Sequence, residues 1–352
     1  MENGEFETLC QVLDYMVVEI NGHVILQDPS DADAIALWIA SSYLLDHWNL
    51  FPKLLINSPE RACGKSTALQ VIEAFVPNGR IASSITAAAV YRFIESCSPT
   101  LLIDEADRSL KNNEELNAII NAGHTRRTAN KMLSIKTTEG NWGFAELSLW
   151  CPQVIAGIGE FEDTLMSRSV VISLRRKLSQ EKTRRLLIDY FDNQEQLRHS
   201  LAAWAQQVEP LRNAIDLPDR ASDRVKDNWE PLFWTAGLAG EAWHERAMKA
   251  FEVIELNRQQ DKVGSFGSEL LNDIRLILSD ETAPEVRSEL LLKSLLMHPS
   301  SDWDVANNGR PITSKWLAKH LKLYGVRPVK RSACNVYLMA DFSEAFKRYI
   351  NF

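Results

Sequence analysis

A short apolar stretch, Lys53–Asn57, runs straight into Ser58-Pro59-Glu60-Arg61-Ala62-Cys63-Gly64-Lys65-Ser66-Thr67, and from Ser66 to Phe75 apolar residues recur at helical spacing. A strand that turns at once into a helix aims the helix's first N–H groups at one spot, and that spot favours an anion. Lys65 adds a positive charge suited to β/γ-phosphates, and the Ser66 hydroxyl can ligate Mg²⁺. The usual pattern starts with Gly where Pro59 stands. Taken alone, the same residues also describe a helix N-terminus that happens to carry Lys and Ser.

A second strand supplies the complement. Thr100-Leu101-Leu102-Ile103 is apolar and ends in Asp104 and Glu105. At a strand's C-terminal end Asp104 can hold Mg²⁺ through its water shell, and Glu105 can polarise an attacking water. Acids that merely end a strand in solvent are the plain alternative, but the two segments in this order point to a P-loop nucleoside-triphosphate site. Val154–Gly157 and Val170–Leu174 read as further strands, with helices at Ala87–Glu95 (capped by Thr86) and Glu114–Asn121. Such alternation predicts an α/β fold with a mostly parallel, helix-covered sheet. Ahead of it lie a helix near Glu7–Met16, a strand at Val24–Gln27, and a helix capped by Ser30 that continues through Leu45. After Lys177 strand signals stop. Gln180–Glu209 and Arg220–Leu256 look helical, and a polar linker, Asn257–Ser268, precedes a small C-terminal unit of three helices and a two-stranded wing. The expected division is 1–30, an N-terminal extension; 31–178, the P-loop core; 179–262, a helical lid and linker; and 263–352, a winged-helix-like domain.

Bulk properties narrow the class. The 352 residues are 45% hydrophobic and 24% charged, an ordinary globular balance. Net charge is −8, yet Ser301–Phe352 carries nine Lys/Arg against four Asp/Glu. Five scattered cysteines without a CxxC pair suggest free thiols in a reducing compartment. An acidic start without a signal-peptide layout and the lack of a long apolar run predict a cytoplasmic chain with no membrane contact. His47, His124, His244 and His298 lack companions at metal spacing, so Mg²⁺ is the one metal expected. The tryptophans, such as Trp38, Trp204 and Trp234, sit at helical spacing and read as core.

Arginines and basic stretches add candidates. Arg168, just before the strand Val170–Leu174, can reach the γ-phosphate of a neighbouring subunit or pair with Asp163 or Glu162. Arg175, Arg176 and Lys177 read as a solvated basic face. Arg224 opens the helix Val225–Leu238, from which it would sense a γ-phosphate or simply face solvent; Arg220 competes for that role. His124–Lys131 is basic and suits DNA phosphates or a subunit interface. In the tail, Thr313 or Ser314 caps a helix Lys315–Tyr324 that Gly325 ends, with Val326–Val329 and Val336–Leu338 as the wing. Lys315, Lys319 and Lys322 share one face and Trp316, Leu317 and Leu321 the other, fitting a DNA major groove or a protein-docking surface.

The stretches "ALWIASSYLLDHW", "SPERACGKST", "PTLLIDEAD", "NNEELNAIINAGHTRR", "WCPQVIAGIGEFEDTLMSRSVVISLRRK" and "RVKDNWEPLFWTAGLAG" run in order from Ala36 to Gly240. They resemble the uncharacterised ATPase domain at the C-terminal end of phage and mobile-element primase–helicase proteins, a family similar to AAA+ and superfamily-three helicases. A weaker match runs from "GRPITSKWLAKHLKLYGVRPV" to "FSEAFKRYI". The resemblance implies ATP and Mg²⁺ as cofactors, and Pro59 looks like the usual form in this family. ATP would be held by Pro59, Glu60, Arg61, Ala62, Cys63, Gly64, Lys65, Ser66 and Thr67, and Mg²⁺ by Ser66 and Asp104. Catalysis would rest on Lys65, Glu105 and Arg168, with Arg168 as arginine finger and Arg224 as lid arginine. Where AAA+ proteins carry a polar sensor, this chain has Ala156-Gly157-Ile158-Gly159, so sensing is relaxed or passes to Glu160. The implied function is a helicase- or translocase-like ATPase in DNA replication, acting as a ring or open oligomer. Single-stranded DNA would sit in its pore, possible duplex DNA at its C-terminal domain, and a primase or effector beside it. A defence or signalling NTPase switch and a replication initiator or helicase loader are the alternatives.

Overall fold

The computed structural model describes residues 8–111, 113–136, 141–159, 161–210, 215, 217–218, 222–258, 267–279, 283–298, 302–307, 310–332 and 334–350. Two compact units form: Met1–Ser58 with Gly64–Leu174 and Lys182–Leu256, and Pro59–Cys63 with Arg175–Glu181 and Asn257–Phe352.

In chain order the first unit contains α1 (Leu9–His23), α2 (Asp31–Ser42), β1 (Lys53–Ser58), α3 (Lys65–Glu73), β2 (Gly79–Ala82), α4 (Ala87–Cys97), β3 (Thr100–Ile103), α5 (Ala106–Ser109) and α6 (Glu114–Ala122). It continues with β4 (Asn130–Lys136), β5 (Trp142–Ser148), β6 (Gln153–Ile158), α7 (Asp163–Met166), β7 (Ser169–Ser173), α8 (Tyr190–Asn193), α9 (Glu195–Ala205), α10 (Asp223–Ala239) and α11 (Glu241–Arg258), whose end passes the unit boundary. Five strands make one parallel sheet in the order β2-β3-β6-β1-β7. Leu54, Leu55 and Ile56 are all fully buried, so β1 is covered on both faces, as a parallel sheet with helices on each side requires. Leu55, Leu101, Ile103 and Ile155 share one core with α4 and α6. Across the sheet, α2 packs on α1 and α10.

Several expectations shift. Val24–Gln27 is no strand; a single bridge, Leu26 to Leu174, forms there. The Ser30 hydroxyl donates to Asp28 Oδ1 (2.6 Å) and makes no side-chain cap for α2, which stops at Ser42. Strand β2 escaped detection because Gly-Arg-Ile-Ala is short and half polar at the sheet edge. The helical region from Gln180 shrinks to α8 and α9, and Gly240, at φ 108°, breaks the next one into α10 and α11. Arg220 and Glu160 lie outside the described residues. The strands β4 and β5 form a separate antiparallel hairpin that the sequence hid.

The second unit holds α12 (Gly267–Ile277), β8 (Glu285–Arg287), α13 (Ser288–Leu296), α14 (Ser314–Lys322), β9 (Val329–Lys330), β10 (Asn335–Leu338) and α15 (Met339–Tyr349). Its sheet is antiparallel, β8-β10-β9, around a core that includes Ile274, Leu291, Leu317, Tyr337 and Phe342. Thr313 caps α14 by accepting from Trp316 N (3.1 Å), and Gly325, at φ 84°, lets the chain leave it. The expected strand Val326–Val329 gives way to β9, which shares only Val329 with it, because Pro328 has no N–H to donate to a ladder. Buried Arg348 joins Glu181 (2.6 Å) and Glu344 (2.7 Å), fixing Arg175–Glu181 to α15 within this unit. No helix among the described residues is long and apolar enough to cross a membrane.

Candidate functional site

Parallel strands deliver their C-terminal ends to one edge of a sheet, where open α/β folds concentrate ligand chemistry. Here that edge gathers four of the residues singled out above. Ser58 ends β1, Gly64 (φ 89°) caps α3, and α3 begins with Lys65 and Ser66. The Lys65 ammonium donates to Ser58 Oγ at 2.9 Å. The Ser66 hydroxyl donates to Asp104 Oδ2 at 2.7 Å, although 38 residues separate them. Asp104 follows β3, and its other oxygen, Oδ1, accepts from Glu105 N at 2.8 Å. Glu105 takes a left-handed φ of 50°, unfavourable for a residue with a side chain. Its carboxylate meets Arg108 at 3.0 Å, an exposed pair worth at most about 1 kcal/mol.

An ammonium, a hydroxyl–carboxylate pair and the first turn of a helix thus face one locality. Hard oxygens suit Mg²⁺, which takes few protein ligands and fills the rest with water and phosphate. Among the described residues no group of three His, Cys, Asp or Glu that could hold a metal occurs. Thr67 lies half-buried in α3. Pro59–Cys63 group with the second unit, where burial, with Glu60, Tyr349 and Cys63 nearby, raises the pKa of the Tyr324 phenol.

Gly157, at the end of β6, leaves no room for a side chain. A Cβ on Gly157 would run into Phe161 and Asp107. Beside it the sequence reading missed Asn57, which pairs in register with Gly157. The Asn57 amide donates to Gly159 O at 2.9 Å and accepts from Ser58 N at 2.8 Å, placing a polar group at the end of β1. Its position one residue before the loop was the available signal.

Arg168 and Arg224 are brought together, but elsewhere. Arg168 precedes β7, and Lys53 at the start of β1 pairs with Ser169, so Arg168 stands at the sheet's opposite edge. Arg224, on α10, donates to Ser167 Oγ at 3.3 Å. Both line a 360 Å³ cleft with Asn121, His124, Thr128 and Asp227. Asn228, the next helix face along, donates to Ser167 O (3.0 Å) and accepts from His124 Nε2 (2.8 Å). Burial, opposed in part by the Asn228 bond, lowers the His124 pKa to about 4, so the ring is neutral at pH 7. The alternative of Arg168 pairing with Asp163 or Glu162 does not occur; Arg168 donates to Thr164 O instead (2.8 Å).

Below this cleft Lys53 is 1% exposed, and its ammonium finds no hydrogen-bond partner among the described residues. Burial lowers its pKa from 10.5 to about 7. Between those values the unfolded chain holds the extra proton, so stability rises with pH across that window, and below about pH 7 the fold carries a buried charge. Lys53→Met is therefore expected to stabilise the protein at pH 6 by on the order of 2 kcal/mol, a gain that fades towards pH 10. Thermal unfolding of both proteins at the two pH values checks this.

The basic stretch His124–Lys131 is largely committed to the fold. His124 is buried, Arg126 meets Asp46 (3.3 Å), Lys131 meets Glu115 (3.1 Å), and Arg127 stays exposed. Directly after it the hairpin offers what the sequence did not suggest. Leu133 and Leu147 pack on the core, whereas Trp142 (71% exposed), Phe144 (78%) and Met132 face outward. The Lys136 ammonium sits 5.6 Å from the Trp142 ring centre.

Comparison with other proteins adds the following. A protein of Saccharopolyspora erythraea, an uncharacterised 28.9 kDa protein in the xis 5′ region, is 30% identical over 159 residues, which are 44% of this chain and 59% of that protein. Apo structures of the NrS-1 C-terminal region align with 93% of this chain and 74% of theirs at 10% and 12% identity, with TM-scores of 0.34 and 0.31. A sequence profile for DUF3631, described as a protein of unknown function, matches residues 173–349, from the end of β7 through α10 to α15. With that match spanning half of its length, the chain belongs to the DUF3631 family.

Proposed function

We propose that this chain is a Mg²⁺-dependent ATPase that acts on single-stranded DNA as an assembly of several copies. The observation that carries the reading is the 2.7 Å approach of Ser66 Oγ to Asp104 Oδ2 beside the Lys65 ammonium at the start of α3. Ser66 and Asp104 would hold the magnesium ion, which supplies charge neutralisation between phosphate oxygens. Lys65 would exchange Ser58 for the β/γ-phosphates, and the first N–H groups of α3 would receive the remaining phosphate oxygens. Glu105 would accept the proton of the attacking water, its backbone held by the Asp104 carboxylate. Arg168, too far along the sheet for its own Lys65, would serve a neighbouring copy.

The outward hairpin face supports the DNA part of the reading. Aromatic rings beside lysines form a sequence-tolerant stacking platform for unpaired bases. The order α12, β8, α13, α14, β9, β10 suits a winged-helix-like unit, whose α14 carries Lys315, Lys319 and Lys322 towards duplex DNA. Alanine at both Trp142 and Phe144 is expected to weaken binding of a labelled oligothymidylate roughly 5- to 150-fold, read by anisotropy, from about 1–3 kcal/mol of stacking. Nucleotide affinity should not change.

The full chain is expected to hydrolyse ATP only with Mg²⁺, and faster when single-stranded DNA is added. Turnover indifferent to every DNA would favour a switch that gates a partner protein. No turnover, and no heat on titration with Mg-ATP, would overturn the reading.

A further inference from the structure

A buried lysine lies under an arginine-lined cleft with no counter-charge of its own. Lys53 begins β1 and is 1% exposed, and its Nζ finds no hydrogen-bond partner among the described residues. Side chains alternate along a strand, so Lys53 shares a sheet face with Leu55. Leu55 packs in the core that holds Leu116, Ile119 and Ile120 of α6. Ala118, Asn121 and Ala122 of the same helix line the 360 Å³ cleft. Backbone bonds tie this end of β1 to the cleft wall: Lys53 N donates to Arg168 O at 2.9 Å, and Phe51 N donates to His124 O at 3.1 Å.

The titratable neighbours of the amine supply little negative charge. Arg168 and Arg224 line the cleft, and their bonds to Thr164 O and Ser167 Oγ leave most donors of each guanidinium available. Burial is the main cause that lowers the His124 pKa to about 4, so the ring adds neither charge at pH 7. Burial likewise pushes the Cys151 thiol up to about 12, which keeps it protonated. Asp227 is the one acid lining the cleft, and its pKa is raised, chiefly by burial and then by Asp223. Burial, with the charge of Arg168 assisting, brings Lys53 itself to about 7, so above that pH its amine is mostly a free base.

We infer that Lys53 is a site of reversible carbon dioxide addition, with Arg168 and Arg224 as the cations that receive the resulting carbamate. The lone pair of the amine attacks the carbon of CO2. The new N–C bond moves a C=O π pair onto oxygen, and a proton leaves the nitrogen for water, so nothing is oxidised or reduced. Dissolved CO2, in equilibrium with bicarbonate, is the co-reactant. A small neutral molecule enters a dry space at little desolvation cost, whereas a ready-made anion must first shed its water. Addition turns a lone buried cation into an anion beside two guanidinium groups, replacing an unpaired charge with charge-assisted hydrogen bonds. A surface lysine has neither advantage, because its amine, with a pKa of about 10.4, stays protonated at pH 8. Carbamate formation needs nothing from Lys65 or Ser66 and stands apart from nucleotide binding.

Chemical trapping tests the site directly. The full chain, held at pH 8 in sodium bicarbonate, is treated with a trialkyloxonium salt, which turns carbamates into stable esters, and is then digested for mass spectrometry. The trapped group is expected at Lys53, with no comparable signal at other lysines. Thermal unfolding in bicarbonate and in sodium chloride of equal ionic strength gives a second readout. With bicarbonate at about ten times its half-saturating level, the folded-to-unfolded ratio of wild type should rise roughly tenfold over the chloride control. Lys53→Met and Lys53→Arg should not respond, nor should wild type at pH 6, where the amine is protonated. A trapped group absent from Lys53, or spread evenly over surface lysines, overturns the inference. An equal bicarbonate gain in Lys53→Met overturns it too, assigning the effect to a free anion at the two arginines. Trapping on wild type decides the matter even where neither variant folds.

Discussion

Lys65→Ala is expected to abolish ATP hydrolysis and to weaken nucleotide binding by roughly 100- to 1,000-fold, the effect of removing one preorganised cationic donor from a phosphate site. The fold should survive. Lys65 sits in the first turn of α3, half-buried, where alanine is the best helix former. Its ammonium bonds to Ser58 Oγ, and Ser58 is buried, so removing the partner costs only about 1–3 kcal/mol of stability. Calorimetric titration with Mg-ATP reads the affinity loss, and a phosphate-release assay reads turnover. A variant that binds and hydrolyses like wild type would show that the loop before α3 holds no triphosphate, and the proposed function would go with it.

Glu105→Gln is expected to do something different: to leave Mg-ATP affinity within about threefold of wild type while lowering turnover roughly 100- to 10,000-fold, the usual contribution of a general base. The separation follows from the site. Asp104, not Glu105, receives the Ser66 hydroxyl, so the cation-binding pair is untouched by the change. The backbone N–H of residue 105 still donates to Asp104 Oδ1, and glutamine keeps the shape of the side chain. What disappears is the ability to take a proton. The exposed contact with Arg108 is also weakened, at a cost of less than about 1 kcal/mol. Equal loss of binding and turnover would instead assign Glu105 to holding the ion. Full activity would show that the carboxylate merely ends β3.

Much of the core was legible because its signals are local. The strands Lys53–Asn57 and Thr100–Ile103 are apolar runs bounded by turn residues or acids, and they appear in the structure with bounds shifted by one residue or none. Thr86 and Thr313 cap as expected, since a hydroxyl reaching a backbone N–H three residues ahead needs only its own neighbours. Ser30 failed for the same reason: an acid two residues back, Asp28, competes for its hydroxyl. The β4–β5 hairpin stayed hidden because apolar residues stand on both of its faces, erasing the period of two that marks a half-buried strand. That Gly157 has no room for a side chain depends on Phe161 and Asp107, which only the fold brings to it.

Sequence alone determined β1, the turn into α3, β3 and the residue types at the ends of both strands, because a strand, a tight turn and a helix start are specified within about ten residues of chain. The meeting of Ser66 with Asp104 and of Arg168 with Arg224 was decided only by the tertiary structure. Both depend on strand order and register, which are set by how whole sheet faces bury against helices and not by any local pattern. The same parallel sheet that gathers Lys65 and Asp104 at one edge sends both arginines to the other.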